Sequence, residues 1–65
     1  MSNHSDAILR YFEYTHLPKD LADVGKEFHA LAHSISRNLP DCLERSISLR
    51  KLLEAKDCAI RSVLY

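Results

Sequence analysis

The sequence predicts an all-α protein with a short N-terminal helix and a long antiparallel helical hairpin. Its 65 residues include one glycine and two prolines, so it has few of the turn residues that connect β-strands. Apolar residues instead recur at steps of three and four along most of the chain, which is the spacing of one helix face. We expect a single domain over residues 1–65.

The N-terminal helix is predicted over about residues 5–15. In "SDAILRYFEYTH" the side chain of Ser5 suits the N-cap position. Apolar side chains follow at helical intervals, namely Ile8, Leu9 and Phe12. Tyr11 and Tyr14 lie beside this apolar set, which suits a core edge or an oligomer interface.

The central helix is predicted over residues 18–38. Pro18 suits a first helical turn, and Asp20 is favourable at the positive end of the helix dipole. Gly25 lies inside this helix, where glycine costs about 1 kcal/mol relative to alanine. Its presence indicates either that a second backbone packs closely there or that a ligand approaches this face. The apolar stripe is continuous: Leu21, Val24, Phe28, Leu31, Ala32, Ile35 and Leu39.

The third helix is predicted over residues 42–64, after the break at "NLPDCLERS". Asp41 and Glu44 have the spacing of a capping box, with aspartate in the cap position. Near the other end, Asp57 and Arg61 have the spacing of an i, i+4 ion pair. The apolar set is wider than one helix face needs: Leu43, Ile47, Leu49, Leu52, Leu53, Ala59, Ile60, Val63 and Leu64.

Self-association is the expected source of additional stability. Two long helices joined by a short loop form an antiparallel hairpin. If Leu53 and Ile60 face the central helix, Leu49 and Leu64 have no cover from their own chain. A core in a chain below roughly 70–80 residues rarely supplies more than a few kcal/mol, so we expect a homo-oligomer.

Charge and composition exclude several classes of function. Nine basic and nine acidic side chains give a formal net charge of zero, whereas a duplex-DNA binder usually has a basic excess. No apolar run approaches the roughly 20 residues that span a bilayer, and "MSNHSDAILR" has no secretory apolar region. We expect a cytosolic protein with reduced thiols that binds neither duplex DNA nor a membrane; a small anionic ligand is compatible with this charge.

Histidines and cysteines provide only weak signs of chemistry. His29 and His33 have i, i+4 spacing, which suits a metal, but "HALAH" lacks the glutamate of zinc proteases, and histidines on a polar face are the simpler interpretation. A thiolate at Cys42, near a helix N-terminus, would be reactive, whereas Cys58 suits apolar filling. We expect no metal, no other cofactor and no enzymatic activity.

A basic stripe opposite the apolar one comprises Lys26, His29, His33 and Arg37. A solvated helix face is its simplest interpretation. Exposed tyrosines near cations also suit a nucleobase that stacks on the ring while its phosphate binds a lysine.

Three segments, "YTHLP", "FHALAHSI" and "LRKLLEAKDCAIR", carry a resemblance to a known family that extends over about residues 8–63. The chain resembles the phage anti-CBASS sponges, whose helical hairpin domain is shared with some anti-Thoeris proteins. The resemblance implies a homohexamer of interlocked trimers that binds cyclic dinucleotides between protomers without cleaving them, and in some members cyclic trinucleotides at separate sites. In the cytoplasm of the infected bacterium, this sequestration would block CBASS-type antiviral defence.

The resemblance also implies roles for single residues. Tyr11 matches a tyrosine that stacks on a base, and Lys26 matches a lysine that contacts the ligand phosphates. Arg61 is the nearest match to an arginine of the cyclic trinucleotide site.

Helical geometry adds Tyr14, His29 and His33 to the candidate cyclic dinucleotide site. Gly25 would leave room beside Lys26 for a ligand or for the tyrosine of a partner protomer. The alternative function is a structural or interaction hairpin whose oligomer binds another protein; a metal- or thiol-dependent enzyme is a weaker third hypothesis.

Overall fold

Three helical elements follow one another in the computed structural model, which describes residues 7–65, and no strand occurs among these residues. A 3-10 helix covers Ile8–Phe12, helix α1 covers Lys19–Asn38 and helix α2 covers Leu43–Leu64. Helices α1 and α2 pack against each other as a hairpin, and the 3-10 helix packs against both. The predicted all-α fold with a helical hairpin is confirmed.

The N-terminal element is shorter than predicted and is a 3-10 helix. The backbone becomes extended at Glu13 (φ −62°, ψ 140°), whose N–H donates to the carbonyl of Arg10 at 3.4 Å. A turn follows, closed by a hydrogen bond from Leu17 N–H to the Tyr14 carbonyl at 3.0 Å. Segments this short rarely sustain an α-helix alone. The predicted cap, Ser5, lies outside the described residues.

Helix α1 begins within one residue of the predicted position. Pro18 is its N-cap residue, and the Pro18 carbonyl accepts a hydrogen bond from Ala22 N–H at 2.8 Å. Asp20 lies in the first turn, as predicted, and its Oδ1 accepts from Leu21 N–H at 3.0 Å. The helix ends at Asn38 because the backbone is extended at Leu39.

The predicted cap of α2 is wrong. Cys42 occupies the N-cap position in an extended conformation and makes no side-chain cap hydrogen bond. Asp41 therefore lies one residue too early for a capping box, and its Oδ1 instead accepts from Arg45 Nη2 at 3.4 Å.

The apolar core sits where all three elements meet. Phe12, Ala32 and Leu49 are fully buried, and partly buried side chains surround them: Ile8, Leu9, Phe28, Ile35, Leu52 and Leu53. The expectation that Leu49 lacks cover is wrong, because Leu49 precedes Leu53 by four residues and shares its helix face. Leu64, in contrast, is exposed as expected.

The end of α1 is closed by a cation from α2. Arg45 is only 6 % exposed, and its Nη1 donates to the carbonyls of Ser36 at 3.0 Å and Leu39 at 3.2 Å. The last carbonyls of a helix have no partner within that helix. The Arg45 guanidinium therefore satisfies the end of α1 and fixes the hairpin turn.

Several large apolar side chains remain exposed on the protomer: Tyr11, Leu31, Leu39, Leu43, Ile47, Val63, Leu64 and Tyr65. Leu43 and Ile47 are four residues apart and share a face near the hairpin turn. Neither helix in the described part of the chain combines the length and the apolar character that a membrane crossing requires.

Candidate functional site

Tyr11 presents a partly exposed ring at the end of the 3-10 helix. The side chain of Arg10 lies over this ring, with its Cζ 5.2 Å from the ring centroid and its Nη2 donating to Tyr11 Oη at 3.3 Å. Tyr11 is 53 % exposed. An aromatic plane and a guanidinium are thus paired at the surface, as in a cation–π contact.

The main chain at Tyr11 is held by Lys56 of α2. Lys56 Nζ donates to the Tyr11 carbonyl at 2.6 Å, and it lies 3.6 Å from Asp57 Oδ1. The ammonium is also 6.0 Å from the centroid of the buried Phe12 ring. Only 12 % of the Lys56 side chain is exposed, so this cation belongs to the packed face of α2.

Lys26 is exposed on α1 and lines a shallow groove with Asp23, Glu27 and Ala30. Asp23 also forms an ion pair with Lys19 at 3.1 Å. The groove therefore offers one ammonium and two carboxylates to a ligand. Because these carboxylates repel a phosphate, an anion bound in the groove needs additional positive charge from groups outside the groove.

Tyr14, His29 and His33 form an aromatic cluster. Tyr14 lies in the turn between the 3-10 helix and α1, and the two histidines lie on α1. The centroids of the Tyr14 and His29 rings are 5.1 Å apart in an edge arrangement, and those of His29 and His33 are 4.2 Å apart. His29 Nε2 lies 3.8 Å from Glu13 Oε2. Within residues 7–65, no set of three or more histidines, cysteines or acidic residues is placed to hold a metal ion.

Gly25 lies directly beneath this cluster. A Cβ atom at residue 25 would be 3.0 Å from Tyr14 Cβ and 3.5 Å from Leu17 Cδ1. The glycine therefore allows the turn after the 3-10 helix to approach α1 closely. Of the two explanations that the sequence left open, the structure shows close packing within the chain, and a role for Gly25 beside a ligand stays a prediction.

Arg61 lies in the last turn of α2. Its Nη2 donates to the sulfur of Cys58 at 3.4 Å. Asp57 contacts Lys56 instead of forming the predicted pair with Arg61. Cys42 and Cys58 are both free and exposed.

The structure brings together some of the predicted site residues and leaves others apart. Gly25, Tyr14 and His29 form one cluster with His33. In the described part of the chain, Tyr11 and Lys26 share no hydrogen bond or ion pair, and Lys26 lines a groove with Asp23, Glu27 and Ala30 that does not include Tyr11.

Two residues that surround Tyr11, Arg10 and Lys56, were not predicted from the sequence. For Lys56 a signal was available: it follows Leu52 by four residues and precedes Ile60 by four, so a cation lies on an otherwise apolar helix face.

Compared with known proteins, the chain matches no family model, no curated protein and no solved structure at a significant level.

Proposed function

We propose that the protein is a non-enzymatic sponge that binds cyclic di- and trinucleotides and so blocks CBASS-type defence in the infected bacterial cytoplasm. The exposed Tyr11 ring carries this proposal, because a guanidinium lies 5.2 Å from its centroid. A cyclic dinucleotide has two bases that stack on aromatic rings and two phosphates that attract cations. The Tyr11 ring supplies a stacking partner for one base, and the Arg10 guanidinium supplies a cation for one phosphate.

Lys26 supports a site that is shared between protomers. Its groove holds the carboxylates of Asp23 and Glu27, so one protomer alone presents an unfavourable field to two phosphates. If the groove faces the Tyr11 surface of a second copy, Arg10 from that copy adds the missing positive charge. We therefore place the cyclic dinucleotide between protomers.

The exposed apolar side chains support the assembly that such a site requires. Among residues 7–65 only three apolar residues are fully buried in the protomer, and a core of this size supplies little net stability. Leu43 and Leu64 are 75 % and 66 % exposed. Covering such residues in a homo-oligomer, which we propose is a hexamer, removes apolar surface from water.

Arg61 is the proposed contact for a cyclic trinucleotide. It is exposed in the last turn of α2, and its guanidinium lies beside Cys58. A guanidinium can donate two parallel hydrogen bonds to a phosphate. Arg61→Ala should weaken cyclic trinucleotide binding and leave cyclic dinucleotide binding intact.

Isothermal titration with a panel of cyclic di- and trinucleotides tests the proposal. Tyr11→Ala and Lys26→Ala should each weaken cyclic dinucleotide binding by about tenfold or more. Base stacking on Tyr11 contributes roughly 1–3 kcal/mol, and a hydrogen bond between the Lys26 ammonium and a phosphate contributes about 1.5–3 kcal/mol. Tyr65→Ala and Lys51→Ala are matched controls, because both residues are exposed and make no described polar contact. Light scattering should give the same assembly mass for all four variants.

Two outcomes would reject the sponge. One is that no cyclic nucleotide of the panel binds at micromolar concentration; the other is that the ligand is recovered cleaved after incubation.

The exposed Leu43 and Ile47 favour one second candidate, an interaction hairpin whose oligomer binds another protein. Assembly without any nucleotide binding would favour that candidate.

A further inference from the structure

Lys56 joins the last helix to the first element of the chain. It lies on the line of α2 that packs inward, together with Leu49, Leu52 and Ile60. Its Nζ reaches across to the Tyr11 carbonyl at 2.6 Å, a contact between residues 45 positions apart. A lysine at such a position must have its ammonium satisfied, because an unpaired buried charge is costly.

The Tyr11 carbonyl needs a donor because of how the 3-10 helix ends. The hydrogen bond from Glu13 N–H to the Arg10 carbonyl closes the helix, and the backbone is extended from Glu13 onward. The next carbonyl, that of Tyr11, lies in the last turn of this helix, where carbonyls have no partner within the helix, and it receives its hydrogen bond from Lys56. The charge on the ammonium makes this bond stronger than a neutral one.

An apolar side chain would fill the same inward position without the cost of burying an ammonium. The surroundings of Lys56 compensate that cost with three groups: the Tyr11 carbonyl, the Asp57 carboxylate at 3.6 Å and the Phe12 ring at 6.0 Å. Two of these belong to the 3-10 helix. Lys56 thus holds the 3-10 helix against α2 through its contacts with Tyr11 and Phe12.

We propose that Lys56 is a positioning residue for the ligand site, holding the Tyr11 main chain so that the ring stays oriented for stacking on a base. This inference rests on the proposed function, in which Tyr11 is the stacking residue. A ring that is already oriented loses less conformational entropy when a ligand binds. Lys56 acts through Tyr11 and does not itself contact the ligand.

Tyrosine fluorescence tests the positioning directly. The chain has no tryptophan and three tyrosines, so Tyr14→Phe and Tyr65→Phe leave Tyr11 as the single fluorophore. In this background, Lys56→Met should lower the fluorescence anisotropy of Tyr11 at unchanged assembly mass. Lys56→Arg, which keeps a cationic donor, should restore it. Lys51→Met on the exposed face of α2 is the matched control and should change nothing.

Titration of the otherwise unmodified protein with cyclic di-AMP, cyclic di-GMP and cyclic GMP–AMP tests the consequence for binding. Lys56→Met should weaken the best-bound of these by about tenfold, the scale of one charge-assisted hydrogen bond, and Lys56→Arg should recover most of the loss. Circular dichroism checks that each variant is folded. If Lys56→Met does not fold, the same measurements on Lys56→Gln decide the question.

The outcomes separate this inference from the proposed function. If none of the three dinucleotides binds the unmodified protein while Lys56→Met still lowers the Tyr11 anisotropy, the cyclic dinucleotide site of the proposed function is rejected and the positioning of Tyr11 stands. If Tyr11→Ala loses binding but folded Lys56→Met keeps both its affinity and its anisotropy, the inference about Lys56 is overturned. A loss in Lys56→Met that Lys56→Arg does not restore at all also overturns it.

Discussion

Tyr14 packs directly on Gly25, so closely that a Cβ atom at residue 25 would lie 3.0 Å from Tyr14 Cβ. Tyr14 Cβ is attached to the backbone of a hydrogen-bonded turn and cannot move away by a simple side-chain rotation. The only glycine of the chain is thus explained by the approach of a turn to a helix. The Tyr14 ring then lies against His29.

Gly25→Ala should lower the free energy of unfolding by about 1 kcal/mol, because the overpacking cost of roughly 1–3 kcal/mol exceeds the gain of about 1 kcal/mol in helix propensity. Chemical denaturation followed by circular dichroism measures the change. Ala30→Gly, at an exposed position of the same helix, measures the propensity term alone. Gly25→Ala could instead raise the free energy of unfolding by the same amount by which Ala30→Gly lowers it. That result would show that the turn has room for a methyl group.

Arg45→Met should be strongly destabilising. The substitution removes the donor of both the Ser36 and the Leu39 carbonyls at the end of α1, and losing hydrogen bonds from a charged donor costs about 2–3 kcal/mol. Arg50→Met is the matched control, since Arg50 is exposed on the same helix and makes no described polar contact. Equal unfolding midpoints for the two variants in urea would contradict the role of Arg45.

Local signals in the sequence were sufficient to predict the two long helices. The apolar stripe and Pro18 placed α1 within one residue of its observed start, and the break before Leu43 did the same for α2. The N-terminal element was predicted as an α-helix because its apolar spacing suits both helix types. Its early end at Phe12, where the backbone becomes extended at Glu13, has no signal in the local apolar spacing.

The surroundings of the candidate site were harder to predict for a related reason. Residue type places cations at the surface, so Arg45 and Lys56 were not expected on the inward line of α2. Their partners are backbone carbonyls, which no sequence pattern identifies. The choice of Tyr11 and Lys26 came from the resemblance, and the structure adds Arg10 beside Tyr11 and two carboxylates beside Lys26.

Leu49→Ala should lower the free energy of unfolding by about 3 kcal/mol, as expected for a cavity at a fully buried leucine. Leu49 is 0 % exposed, whereas Leu64 is 66 % exposed. Leu64→Ala should therefore change the concentration-independent part of the unfolding free energy by less than about 0.5 kcal/mol. Urea denaturation at several protein concentrations measures both. A similar cost for the two variants would contradict the assignment of the core face of α2.

Assembly should depend on the apolar face near the hairpin turn. Leu43 and Ile47 are 75 % and 39 % exposed on the protomer, so replacing both with serine removes little from its core but much apolar surface from an interface. The double variant should have a lower mass by light scattering at micromolar concentration and keep its helical circular dichroism. Glu54→Ser, at an exposed polar position of α2, should keep the mass of the unmodified protein. A monomeric mass for the unmodified protein would reject the oligomer, and an unchanged mass for the double variant would place the interface on another face.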